Sequence, residues 1–388
     1  MASLKTVASV PRSAPGADAP PIQGAGPDRD PEGAATVAPA VAPPPAVTPL
    51  SVRINRVLAL LGLNWFVPLV NLLAGENPRT QLRELWLMIG VPLASFALFL
   101  LLWGWGAGQI ETSLGAIPGP AQVRAEAGTL LAEHRAERER EAAFHVRQEE
   151  RNAVRRAADP AAEIRVIPYT GKPTYFDQIR TSLFTVFTGF LFATLVAVPA
   201  GILCGMSRTI NTALNPLIQI FKPVSPLAWL PIVTMVVSAL YVTTADSWFE
   251  KSFITSAITV SLCSLWPTLI NTAVGVASID KDLLNVGRVL KLSKSTQVTK
   301  IILPSSLPLI FTGLRLSLGV GWMVLIAAEM LAQNPGLGKF VWDEFQNGSS
   351  SSLSRIMVAV FTIGIIGFLL DRVMLTLQKL FSFGEVRG

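Results

Sequence analysis

The stretch from Leu85 to about Trp105 contains LMIGVPLASFALFLLLWGW and carries no charge. An uncharged run of about twenty residues is what a helix needs to cross the hydrocarbon of a bilayer. Further apolar segments run from Leu183 to about Met206, over about 216–242, from Phe253 to about Ala277, from Leu307 to about Leu331, and from Ile356 to about Leu370. In lipid every backbone polar group must find its partner internally, so segments of this length are helices. The pattern predicts an all-α, polytopic membrane protein with about six transmembrane helices.

Composition agrees, at 51% apolar and 15% charged residues with a mean hydropathy of +0.48. The pI near 9.5 and net charge of +6 could point to nucleic acid. The charges instead flank the apolar segments, so the partner is the lipid bilayer and no nucleic acid is expected. Arg53, Arg56, Arg79 and Arg83 precede the first span, and Asp371 and Arg372 follow the last. Both termini are therefore expected in the cytoplasm. Cys204 and Cys263 lie in apolar stretches and read as packing residues, and His134 and His145 lack metal-ligand spacing.

Residues 1–50 are rich in Ala, Pro and Gly, with Pro43 to Pro45 in a row, and predict a disordered cytoplasmic tail. Within 51–84, the run 57–74 is interrupted by Asn64, Pro68 and Asn71, which favours interfacial helices over a span. After the first transmembrane helix (85–106), residues 107–180 form an external region. Ala121 to Arg165 holds nine Arg and nine acidic residues among strong helix formers, and its helical run ends at Asp159-Pro160. Only Val123, Leu130, Leu131, Phe144, Val146 and Val154 offer a weak apolar stripe. This predicts an exposed helix or helical hairpin, with a docking surface for an external protein as the alternative.

The segment 216–242 carries Pro216, Pro223, Pro226 and Pro231. A membrane helix so interrupted must face protein or a water-filled cavity, which makes Pro226 and Trp229 candidates for lining a path. Lys222 reads as an anchor snorkelling to the interface, with an anion site as the alternative. In the segment from Leu307, Gly313, Gly319 and Gly321 with Ala327 and Ala328 predict a thin face for close helix packing. Arg315, Trp322 and Glu329 in the same segment are the other path candidates. Arg315 and Glu329 stand about 21 Å apart at helical rise and cannot pair with each other. Arg315 can attract an anion, or pair with an acid or carbonyl of another span; Glu329 falls near the outer interface.

Between two spans lies a charged island, Asp280 to Pro304. Asp280 can cap a helix with the apolar stripe Leu283, Leu284, Val286, Val289 and Leu290, and Ser293 can cap a second helix that Pro304 interrupts. Arg288, Lys291, Lys294 and Lys300 make the loop basic and hence cytoplasmic. The stripe must be buried against the membrane or in a partner's groove.

This island resembles the cytoplasmic loop of the permease subunits of binding-protein-dependent ABC importers, whose pattern is E-A-A, three residues, G, nine residues, I-x-L-P. Asn285, Val286 and Gly287 take the E-A-A places, Lys291 the G place, and Ile301, Leu303 and Pro304 the end; with Leu290 these are the ATPase-coupling candidates. KPVSPLAWLPI (222–232), WPTLINTAVG (266–275), NVGRVLKLS (285–293), IFTGLRLSLGVGW (310–322), AAEML (327–331) and LLDR (369–372) resemble the nitrate and bicarbonate branch, over about residues 175–376 and loosely the first span. The resemblance implies a type I importer fold in a bacterial inner membrane, with a permease core over 181–376 and a cytoplasmic tail from 377. It further implies cytoplasmic ATPase subunits, an external substrate-binding protein and a second permease copy, with alternating access driven through the 280–304 loop. The chain holds no P-loop: Gly171-Lys172 and Gly338-Lys339 are followed by Pro173 and Phe340. ATP and Mg are thus expected on partner subunits, and the chain itself is expected to be no enzyme. On that resemblance nitrate, nitrite or cyanate comes first as cargo, then bicarbonate, then a sulfonate. A secondary transporter using an ion gradient is the rival, and it would need mid-span acids that are scarce here.

Overall fold

The computed structural model describes residues 51–382 apart from 53, 56–57, 59–63, 76–77, 113–114, 160–165 and 243–248. The tail expected over 1–50, most of the outer loop expected over 244–251, and the end of the chain from 383 lie outside the described residues.

The described part of 57–74 is a short turn, Asn64–Phe66, running into α1 (Val67–Leu73). At about 15 Å this is half a bilayer thickness. The first long helix, α2 (Pro78–Ala107), is continuous through a wide turn at Trp86–Gly90. It therefore starts before the expected Leu85, and Pro78–Leu85 belongs to it. Pro78 opens the helix where its missing N–H costs nothing.

The charged region is a single helix, α3 (Pro120–Ala158), without a hairpin. It is about 57 Å long at helical rise. Only Val123 and Leu130 of its expected stripe are buried; Val146 and Val154 are exposed. Charges hold it instead. Arg355 reaches Glu126 at 2.8 Å and Glu133 at 2.5 Å on α3, and Arg138 pairs with Asp177 at 2.8 Å. The Tyr169 hydroxyl donates to Glu137 at 2.7 Å. That bond and Arg140 hold the Glu137 carboxyl below the ordinary range and push the Tyr169 hydroxyl above its own.

The spanning helices are α4 (Tyr175–Met206), the bent pair α5 (Arg208–Phe221) and α6 (Pro226–Leu240), α7 (Lys251–Ala277), α9 (Lys294–Ala332) and α11 (Ser352–Ser382). The short α8 (Lys281–Val289) and α10 (Leu337–Asn347) join them. Length and composition give five spans, or six with α5 and α6 taken together across their 100° bend. Thr174 caps α4 through the backbone N–H of Asp177, whose carboxylate accepts from the Thr174 N–H in return.

Helix α7 is the central column, packed between α4 and α9. On α4 the residues Gly189, Ala193, Ala197, Gly201 and Gly205 recur every fourth position and face it. A Cβ on Gly189 would lie 2.6 Å from the Ala257 carbonyl oxygen, and one on Gly201 2.8 Å from that of Leu269. This is close small-residue packing, which in lipid supplies the attraction that hydrophobic burial cannot. On α9, Gly313 and Gly321 meet α7 in the same way, whereas Gly319 has nothing near it. The expected thin face thus holds for two of its three glycines.

Pro267 interrupts the ladder of α7. Beside it, the Ser317 hydroxyl of α9 accepts the N–H of Thr268 at 3.0 Å and donates to the Ser264 carbonyl at 2.5 Å. An unbroken helix would join those two backbone groups to each other, so a side chain is inserted into the ladder.

Candidate coupling surface and translocation groups

The 280–304 island folds as its caps dictate. The Asp280 carboxylate accepts the Asp282 N–H at 3.0 Å and opens α8. Ser293 accepts from Thr296 at 3.2 Å and opens α9. Between them Lys291 takes φ +49, so it fills the left-handed position normally given to glycine. Pro304 does not interrupt α9. A wide turn at Val298–Ile302 lets the helix pass it, because the loosened ladder no longer needs the N–H that proline lacks.

Gly287 is buried, and a Cβ there would lie 3.0 Å from Ile301 Cδ1; the hairpin closes on that contact. Ile301, Leu303 and Pro304 are half-buried at its base. The Asn285 side chain is exposed and accepts from Arg288 at 3.3 Å. Leu283, Val286, Val289 and Leu290 are 44%, 53%, 80% and 64% exposed. Both helices are capped and the hairpin is closed, yet four large apolar side chains face outward. Leu284 alone of the predicted stripe is half-buried.

The five path candidates do not converge on one place. Pro226 and Trp229 start α6, where Trp229 packs on Phe221 at 5.8 Å between ring centres. Its indole N–H has no hydrogen-bond partner among the described residues. Arg315 forms a two-pronged ion pair with Asp371 of α11, its second nitrogen at 2.9 Å. Asp371 lies well inside α11, so that helix does not stop at Leu370 as expected. Gln378 extends the same seam, donating to the Pro308 carbonyl and to Thr312 at 3.2 and 3.1 Å.

Trp322 and Glu329 are both buried inside the bundle. Trp322 is 5% exposed and its N–H donates to the Ile363 carbonyl at 2.9 Å. Glu329 is fully buried. Its carboxylate accepts from the Ser182 hydroxyl at 2.8 Å and from the Gly338 N–H at 2.9 Å, while Ser182 accepts the Leu337 N–H at 2.9 Å. A carboxylate at the first turn of α10 satisfies N–H groups that the helix cannot, and meets the positive end of its dipole. Glycine at Gly336 and Gly338 leaves room for it, since a Cβ at Gly336 would strike the carboxylate.

Phe221, which precedes Lys222, stacks on Trp266 of α7, ring centres 6.4 Å apart, and Lys222 itself is exposed.

Comparison with known proteins places the chain. Residues 197–383 match the family described as binding-protein-dependent transport system inner membrane component. The nitrate import permease protein NrtB of Synechococcus elongatus is 37% identical over 226 residues, covering 56% of this chain and 76% of that protein. The bicarbonate transport system permease protein CmpB of the same organism is 35% identical over 296 residues, covering 74% and 88%. The taurine transport system permease protein TauC of Escherichia coli is 31% identical over 216 residues, covering 55% and 73%.

Proposed function

Because the chain belongs to the family of inner membrane components of binding-protein-dependent transport systems, we propose that it forms the membrane passage of an ATP-driven importer for a small inorganic anion, nitrate or nitrite first. Separate cytoplasmic subunits bind ATP and Mg and hydrolyse the nucleotide. An external binding protein delivers the anion, and a second copy of the chain completes the passage. Both termini lie in the cytoplasm.

The observation that carries this reading is the apolar surface on the coupling hairpin. Burying one such side chain stabilises a contact by about 1.5–3 kcal/mol, so Leu283, Val286, Val289 and Leu290 together make a firm handle for a partner. ATP-driven closure of the ATPase pair displaces α8, and α9 moves with it, because its first residues continue directly from the hairpin. The bundle then passes between two states whose balance the partner's nucleotide sets. Nitrate is favoured by the relatives named for its import. A second reading, bicarbonate, is favoured by the longer stretch of chain, 296 residues, over which CmpB aligns.

The test is ATP hydrolysis by the purified complex with its binding protein, titrated with nitrate, nitrite, bicarbonate and a sulfonate. Stimulation by nitrate or nitrite at the lowest concentration is expected; equal hydrolysis with and without all four sinks the anion reading. Leu290→Asp should abolish co-purification of the ATPase subunit, and unchanged co-purification removes that residue from the interface.

A further inference from the structure

Two spans, α2 and α11, and the first turns of α3 enclose an open groove of about 750 Å³. Phe96, Leu100 and Trp103 line it from α2, and Val358, Phe361 and Ile365 from α11. Trp103 lies on Phe361, ring centres 5.1 Å apart. Phe96 and Ile365 are 56% and 58% exposed, so the walls open to the surroundings. An apolar groove of this kind does not hold water. Between two membrane spans, what fills it is hydrocarbon.

The lining carries two polar side chains and no carboxylate. The Thr362 hydroxyl is already bonded to the Val358 carbonyl at 2.8 Å. Arg124 of α3 has no ion pair among the described residues, and Glu126, two residues on, is held by Arg355 at 2.8 Å. Two contacts fix where this cation stands. Pro120 packs on Gly104, where a Cβ would lie 3.7 Å from its Cδ, and Glu126 meets Arg355. Gly104 is three residues from the end of α2, and Arg355 is three residues from the start of α11. Arg124 therefore lies close to where both spans end, and the apolar lining runs inward from it. Phe96 is about 12 Å further along α2 than Gly104, and Ile365 about 15 Å further along α11 than Arg355.

A cation at the boundary with an apolar channel leading inward matches a phospholipid in the order of its parts. We propose that the groove holds one phospholipid, with an acyl chain between α2 and α11 and the phosphate on the Arg124 guanidinium, whose planar fork suits phosphate oxygens. Among the residues of α2 only Ala107 is buried, so the seated lipid fastens to the bundle a helix that protein contacts alone hold at one end. The proposal is independent of the cargo.

The test uses the full chain purified in detergent with its ATPase subunits and stripped of lipid. Native mass spectrometry counts bound molecules as phosphatidylglycerol, or dioleoylglycerol with no phosphate, is added. Phosphatidylglycerol should fill one tightest site per permease chain, and dioleoylglycerol should bind there at least tenfold more weakly. Arg124→Ala should weaken phosphatidylglycerol about tenfold, and Arg124→Lys should recover most of that loss. Ala127→Trp, which fills the groove, should remove the site; each variant is first checked for unaltered elution on size exclusion. Equal binding of the two lipids by the unaltered chain, or an Arg124→Ala affinity within twofold of it, overturns the proposal. So does an Ala127→Trp chain that keeps the tightest site, which places the lipid elsewhere, or one that instead splits a permease pair, which makes the groove an interface between copies. No anion enters these measurements, so their failure leaves the import reading standing.

Discussion

Glu329 offers the sharpest separation of a structural from a transporting carboxylate. If its task is to hold the start of α10, the geometry that matters is two acceptors, one for Ser182 and one for Gly338. Glu329→Ala removes both, leaves the Gly338 N–H buried without a partner, and opens a space at the α4 contact. Each charge-assisted bond contributes about 1.5–3 kcal/mol, so the loss of two is about 3–6 kcal/mol. For a chain of this size that lowers the melting temperature by roughly 5 °C. Glu329→Gln behaves differently. Its oxygen still accepts from Gly338, and its amide can donate to the Ser182 hydroxyl, which continues to accept from Leu337. The cost should stay under about 1 kcal/mol. Thermal unfolding of the solubilised complex, followed by loss of its peak on size exclusion, measures both. A Gln variant as unstable as the Ala variant would refute the capping argument, because charge and not hydrogen-bond geometry would then be essential. A stable Gln variant that no longer transports would return Glu329 to the path.

Three other expectations can be checked on the same material. Asp371→Asn strands Arg315 between α9 and α11 and should cost about 2 kcal/mol, below the figure for a fully buried pair because both side chains are about one-third exposed; the exchange Arg315→Asp with Asp371→Arg should recover most of it in a melting experiment. Arg355→Met should release the middle of α3, seen as faster amide exchange over 126–140, with the remaining helices unchanged. Glu137 has its folded value below the ordinary glutamate range, so its hold on Tyr169 is complete above that range and is lost as pH falls through the folded value; protection of the α3 amides, after division by the intrinsic exchange rate at each pH, should be flat from pH 8 to 6 and fall only below about pH 4.

Much of the architecture was readable from residue order. Apolar runs located the spans to within a turn or two, and the caps at Asp280 and Ser293 were visible because a cap is a local bond within three residues. What escaped notice depended on partners far along the chain. Asp371 looks like the end of a span until Arg315, 56 residues earlier, is seen beside it. Glu126 and Glu133 look like a solvated charge run until Arg355 meets them. The stripe of Gly189, Ala193, Ala197, Gly201 and Gly205 was in plain view at a period of four, and it could have announced the tightest seam in the bundle.

That seam limits how the protein can move. Where two helices touch backbone to backbone, a slide of even one residue would drive a Val or Thr side chain into a carbonyl, so α4 and α7 must travel together as one rigid slab. Any opening and closing of a passage is left to the joints around that slab: the elbow at 222–225 and the charged hinge line between α9 and α11.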